Sequence, residues 1–384
     1  MSEQIVPGDG VLVGRAMVPG HDFPRIVAAR DGALYDITSK LAPTVRDICE
    51  LADPTAYVRD AAGTRVGDLD AVIANSWRDQ STAHVATLLS PIDLQAVKAA
   101  GVTFVVSLLE RVIEEQARGD KGKADALRGD ILKLIGTDLS QLVPGSDAAM
   151  EVKRTLVARG VWSQYLEVGI GPDAEVFTKS QPMSTVGYGA DVGVLAVSEW
   201  NNPEPEVAVV VSSAGKIVGA TLGNDVNLRD LEGRSALLLG KAKDNNASAS
   251  LGPFIRLFDE HFTLDTIKKA EIALSVKGED GFVLEGHSSM GQISRSPESL
   301  VAGTIGHHHQ YPDGLVLYLG TMFAPVKDRE GPGKGFTHKM GDIVSISTPS
   351  LGTLSNRVRL ANDCPPWTYG ASQLMRDLAG AGLL

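Results

Sequence analysis

Cysteine is nearly absent: Cys49 and Cys364 are the whole complement of 384 residues. Two cysteines cannot build a disulfide framework or a thiolate zinc site, so both are expected to be inert packing residues. Aromatic residues are also sparse, at 5%. No apolar run approaches the roughly 18 residues that a membrane-spanning helix needs. Basic residues are in deficit, with 36 Lys and Arg against 47 Asp and Glu and a net charge of −11. Neither a basic stripe for nucleic acid nor a polybasic membrane patch is present. The opening MSEQIVPGDG lacks a charged stretch followed by an apolar core, so no signal peptide is expected. The expectation is a soluble, cytoplasmic protein with neither a nucleic-acid nor a membrane partner.

What is present suits a folded protein. Hydrophobic residues make up 43% and charged residues 22%, and Gly is abundant at 41. A chain of this length exceeds one small core. Residues 1–95 read as a small N-terminal lobe of short strands and turns, with a helix-like stretch TVRDICELA. SPIDLQAVKAAGVTF reads as an extended connection into a catalytic domain over 96–384. A helical arm is expected over about 104–160, where Val105, Leu108, Leu109 and Ile113 recur at helical spacing. After Trp162 the texture changes to strands: EVAVVVSS, KIVGATLG, EIALSVKG, FVLEGHSS, LVLYLGTMF and DIVSIST. The fold class expected is α+β, a β-rich catalytic domain with helices packed outside.

The sharpest chemical feature is NNPEPEVAVVV at Asn201–Val211. Glu204 and Glu206 stand two apart at the mouth of a strand, and period-two geometry puts both carboxylates on one face. Pro205 between them cannot donate to a ladder, which suits an edge or a strand start. Two like charges on one face are costly unless a positive group bridges them. Asp225 lies in an Asn-Asp pair where the next apolar strand ends, and Lys241 and Lys243 follow in GKAKDNNAS. Three carboxylates with no nearby Cys or His point to oxygen ligation of magnesium, with manganese or calcium as alternatives. His307, His308 and His309 form a consecutive run. Adjacent side chains diverge, so a polar loop is the better reading than a metal site.

These residues resemble the fumarylacetoacetate hydrolase superfamily from about Ser90 to the C terminus. The family pairs a Glu-x-Glu with an Asn-Asp-Val-x-x-Arg-Asp turn, here Glu204-Pro-Glu206 and Asn224 to Asp230. The resemblance implies that Glu204, Glu206 and Asp225 hold the metal. It further implies that the Thr321 hydroxyl, with backbone N–H groups around Gly320, receives the substrate carboxylate. Lys243 best matches the family's catalytic-side lysine, with Lys241 still open. Lys179, in FTKSQPMS, matches the family's lysine before a Pro and Ser, which makes it a candidate substrate-binding residue, with a packed structural role as the alternative. Hydrolytic members carry Asn-Tyr-x-x-His-x-x-Glu, whose His activates water. Here Glu110 is kept but Ser107 replaces the His, and serine is a poor general base near neutrality.

Along its whole length the chain is similar to members that dehydrate 2-keto-3-deoxypentonates to 2-oxoglutarate semialdehyde. That implies an elimination on a small 2-oxo sugar acid, with Glu110 as acid or base and Lys243 as its partner. Glu114, one turn on, is a reserve candidate, better read as a solvent-facing ion-pair residue. The resemblance also implies a homodimer or higher homo-oligomer. Two other readings are a hydrolase of a 2,4-diketo-3-deoxy acid, which Ser107 disfavours, and a non-enzymatic sugar-acid binder, which the intact carboxylate set disfavours.

Overall fold

The computed structural model describes residues 4–384 except 78, 80, 105–107, 109–111, 114, 119, 121, 124–141, 159, 161, 324 and 332–334. From the N terminus, β1 (Leu12–Met17), β2 (Arg25–Arg30), β3 (Ala33–Asp36) and β4 (Thr64–Asp68) form an antiparallel meander. Two short helices follow β3, Val45–Glu50 and Pro54–Asp60. The first begins at Thr44, whose side chain accepts from the Asp47 N–H while the Asp47 carboxylate accepts from the Thr44 N–H. This reciprocal pair satisfies two donors that a helix start leaves open.

Strand β5 (Thr87–Leu88) pairs with β1, and β6 (Ala96–Gly101) pairs with β7 (Glu175–Ser180). The stretch expected as an extended connection is therefore a sheet strand in its middle. β8 (Asp191–Val194) belongs to a second sheet, and β9 (Asn201–Asn202) leads into β10 (Pro205–Val211). Then come β11 (Ile217–Asp225), β12 (Asn227–Leu228), which pairs with β9, and β13 (Ala249–Leu257). β14 (Glu271–Lys277), β15 (Val283–Ser289), β16 (Leu315–Tyr318), β17 (Ile343–Thr348) and β18 (Gly352–Leu360) complete the set among the described residues.

The large sheet runs β4-β3-β2-β1-β13-β11-β10-β16-β6-β7 with β5 beside β1, and the smaller one runs β15-β14-β17-β18-β8. Residues 1–95 thus share a sheet with residues 96–384, through the pairs Leu12↔Arg256 and Val13↔Ile255. The valine run of β10 explains its central place. Val207, Val209 and Val211 enter the core shared with Leu274, Val276, Val344 and Ile346 of the smaller sheet. Ala208 and Val210 point the other way, into a core with Val45, Ile48 and Val58 of the two short helices. A strand covered on both faces has no polar side to show, hence a continuous apolar run.

Of the helical arm, the structure describes a helix at Asp147–Ala158 that buries Ala149 and Leu156. It shares a core with Leu108, Val112, Ile113, Leu166 and Trp200. Trp200 is next to β9, so the arm packs against the chain that enters the acidic strand. The C-terminal helix, Ala371–Gly380, packs Leu374 and Leu378 on Phe23 and Met183. Among the described residues no helix is long and apolar enough to cross a membrane.

Candidate metal and active site

The antiparallel pairing of β10 with β11 puts Pro205 opposite Asn224 and Glu206 opposite Gly223. That register brings the start of one strand to the end of the other, and with it Glu204, Glu206 and Asp225. One carboxylate oxygen from each lies within 4.8 Å of the other two, and all three residues are buried. Pro205 sits at a strand start, not an edge. β16 joins β10 only from Ala208 onward, so the missing Pro205 donor costs no ladder bond. Asn224 braces the junction, since its side-chain oxygen accepts from the Glu204 N–H at 3.1 Å. The Asp225 N–H donates to the Glu204 carbonyl at 3.1 Å.

Two lysines face this charge. Lys243, at the end of the helix Leu239–Lys243, sets its Nζ 2.5 Å from Glu204 Oε2 and 3.0 Å from Asp225 Oδ2. The same ammonium lies 5.5 Å from the centre of the Phe177 ring. Lys241 is exposed on that helix, so the choice left open by the sequence falls to Lys243. Lys179, on β7, is wholly buried behind Asp225. Its Nζ lies 2.8 Å from Asp225 Oδ1 and donates to the carbonyls of Val226, at 3.1 Å, and of Lys243. One ion pair and two carbonyl hydrogen bonds surround the ammonium, so Lys179 holds Asp225 and the end of the Lys243 helix.

Gly320 follows β16 at φ +103, where a β-carbon would stand 2.0 Å from Thr103 Oγ1. Its N–H donates to Glu206 Oε2 at 2.7 Å, so this donor fixes a carboxylate of the triad. Thr321 is buried beside it and donates from Oγ1 to the Phe323 carbonyl at 3.2 Å. Tyr318, also under the triad, donates to the Ser250 carbonyl at 2.8 Å. In the Asn-Asp-Val-x-x-Arg-Asp turn, Asp230 accepts from Ser198 Oγ and the Glu199 N–H. Arg229 stacks on Trp200, its guanidinium carbon 4.5 Å from the ring centre. These two residues tie the turn to the chain that leads into Glu204.

Electrostatics follow from burial and these partners. Burial first, then Asp225 and Glu204, push the Glu206 carboxyl well above the ordinary carboxylate range, against Lys243 and the Gly320 N–H. Burial also acts to raise Asp225, but Lys179 and Lys243 together outweigh it and hold that carboxyl low. Burial lowers Lys179 despite the pull of Asp225. Burial, with Asp225 and Glu206 near, raises the Tyr318 phenol well above its usual range. The donor set is three carboxylates with no His or Cys, which suits a hard divalent cation. The raised Glu206 carboxyl marks a cluster short of positive charge for all three carboxylates together, and a divalent cation would supply it.

Ser107, Glu110 and Glu114 lie outside the described residues. The histidine run lies in an exposed turn, where the His308 ring Nε2 meets the Gly303 carbonyl at 3.2 Å. Sequence reasoning missed Asn224, Tyr318 and the Glu206 contact of Gly320. Asn224 had a visible signal, its place inside the motif; the other two depend on β16 lying beside β10.

Residues 164–359 match the model of the fumarylacetoacetate (FAA) hydrolase C-terminal family. A curated relative from Haloferax volcanii, named a probable 2-keto-3-deoxyxylonate dehydratase, is 28% identical over 337 residues, covering 87% of this chain and 95% of that protein. Another from Saccharolobus solfataricus, a 2-dehydro-3-deoxy-D-arabinonate dehydratase, is 35% identical over 185 residues, covering 48% of this chain and 58% of that protein. Among solved structures, a 2-keto-3-deoxy-D-arabinonate dehydratase complexed with magnesium and 2,5-dioxopentanoate superposes with a TM-score of 0.58 at 24% identity, covering 91% of this chain and 99% of that one.

Proposed function

Because the chain belongs to the fumarylacetoacetate hydrolase family, we propose that it is a divalent-metal-dependent hydro-lyase that dehydrates 2-keto-3-deoxypentonate to 2-oxoglutarate semialdehyde. The observation that carries this reading is the buried oxygen triad of Glu204, Glu206 and Asp225 with Lys243 in contact. The names of both curated relatives support the substrate class. So does 2,5-dioxopentanoate in the structural neighbour, since that compound is 2-oxoglutarate semialdehyde.

In this reading Glu204, Glu206 and Asp225 hold magnesium. When bound, the ion acts as a Lewis acid toward the 2-oxo acid and makes the C3 protons more acidic. Lys243 keeps a buried positive charge where negative charge develops on the 2-oxo oxygen. Lys179 positions Asp225. Gly320 orients Glu206, and the Thr321 hydroxyl receives the substrate carboxylate. Glu110 takes a C3 proton and returns one to the departing C4 hydroxyl, with Ser107 as an orienting hydroxyl. One water leaves, proton shifts from C5 to C3 and from the resulting enol hydroxyl to C4 give the aldehyde, and five carbons stay together. No activated external water is needed, which agrees with serine at position 107 in place of a histidine. The setting is cytoplasmic and the assembly a homodimer.

The test is to incubate the protein with magnesium and 2-keto-3-deoxypentonate and weigh the products by mass spectrometry. The expected product is one five-carbon molecule lighter by one water. Pyruvate with a two-carbon fragment would overturn the reading. Chelation should abolish turnover and magnesium or manganese restore it; full activity in metal-free protein would be equally fatal.

A further inference from the structure

A cavity of about 470 Å³ lies apart from the acidic cluster: none of Glu204, Glu206, Asp225, Lys243 or Thr321 lines it. Its size falls within the range of small-molecule sites. Arg15 and Met17 of β1, the segment Met183–Gly187 and the C-terminal stretch Pro365–Tyr369 form its walls. Arg15 is the central observation. It is only 6% exposed, and its one side-chain hydrogen bond among the described residues runs from Nη1 to the Ile92 carbonyl at 2.6 Å. A guanidinium carries five N–H donors in a planar fork, so most of this fork is unspent, and Arg15 lines the cavity.

Among the described residues no acid meets it by contact. Asp93 attracts Arg15 through space, but its oxygens accept from the N–H groups of Val45, Arg46 and Leu94. Asp22 is the only carboxylate among the described lining residues, at an exposed position. The rest of the wall is rich in hydroxyls. Thr185 donates to Ser90 at 2.6 Å, and Ser184 and Thr368 add two more. Trp367 and Tyr369 stand at one side. A buried arginine with spare donors recognises a planar carboxylate, hydroxyl groups suit a polyol, and aromatic faces cover its C–H surface.

We propose that this cavity binds a small polyhydroxylated carboxylate, its carboxylate on Arg15 and its hydroxyls on the Ser–Thr wall. The cavity offers this chemistry whatever reaction the acidic cluster catalyses. Along the chain, its lining residues Ser184 and Asn246 come five and three residues after Lys179 and Lys243.

Calorimetric titration of the full chain with ribonate tests it, with ribitol and inorganic phosphate as controls. Saturable ribonate binding is expected, with no ribitol binding and at least tenfold weaker binding of phosphate. Arg15→Gln should weaken ribonate at least tenfold. Thr368→Trp places a large ring at an exposed rim position, where the fold tolerates it, and should do the same; it decides the matter should Arg15→Gln fail to fold. Absent ribonate binding, binding that Thr368→Trp leaves unchanged, or phosphate bound as tightly as ribonate would each overturn the proposal.

Discussion

At Gly320 one atom of backbone does two jobs. The positive φ lets the chain turn under Thr103, and the same turn aims the N–H at Glu206. Gly320→Ala should cost about 1–3 kcal/mol from backbone strain alone and should weaken metal binding by loosening Glu206. Urea unfolding and metal titration would check both; an unchanged metal affinity would deny Gly320 its part in holding the carboxylate. Lys179 is the second such residue. Replacing it with Met leaves Asp225 buried without its closest cation, and breaking a buried pair costs roughly 3–5 kcal/mol. Denaturant unfolding of Lys179→Met should show a loss of that order, whereas a lysine spare for substrate would cost far less. The triad itself was legible in the sequence, because period two aligns Glu204 with Glu206 and Asn-Asp closes a strand. The partners of Lys179 were not, because nothing local ties β7 to the end of β11.

Among the elements, β10, β11 and the strands β14 to β17 were legible, β10 and β16 as apolar runs and β14 and β17 by alternation. β13 did not, because Pro253 interrupts it and a proline argues against a central strand. The pairing with β11 passes from Arg256 to Gly252 across a register shift, so Pro253 sits where no ladder bond to β11 is asked of it. The segment after β16 shows another element-scale effect. Arg329 meets Asp342 with two bonds of 2.6 and 2.7 Å, and His338 Nδ1 lies 3.3 Å from the same carboxylate. Burial lowers the His338 imidazole below 6.5 in spite of Asp342. The unfolded chain then binds the extra proton more readily, so stability falls as pH drops below 6.5. Burial acts to raise Asp342, but Arg329, His338 and the Lys339 N–H together outweigh it and hold the carboxyl below 3.8; its contribution is present above 3.8 and is lost only at lower pH. Between pH 7.5 and 5.5 the loss from this segment therefore belongs to His338, at most about 1.4 kcal/mol per pH unit. His338→Gln should flatten the urea midpoint over that window, and an unchanged slope would discount the histidine.

On the scale of the whole molecule, the large sheet unites the chain from β4 to β7, and residues 1–95 dock through β1 on β13. The homodimer implied by the family resemblance remains a proposal at this scale. Leu237, Val197 and Val326 are exposed apolar residues, and covering such groups is what association achieves. Light scattering at micromolar concentration should return twice the monomer mass. A strict monomer would contradict the dimer and leave the metal chemistry standing, since all three carboxylates and both lysines come from one chain.

The residue types alone determined the class of chemistry. An all-oxygen donor set without His or Cys calls for a hard cation, and alternation along a strand places two of its members on one face. The residue types also marked β10 and β16, because a strand buried on both faces is apolar throughout, whereas β14 and β17 alternate buried and more exposed positions. Only the tertiary structure decided which lysine meets the carboxylates and that a second lysine stands behind Asp225. It alone gave the Gly320 N–H to Glu206. Those contacts join β7, β10, β11 and β16, far apart in sequence, and depend on strand order and register. Sheet pairing is non-local, so no window of sequence contains both partners of such a contact.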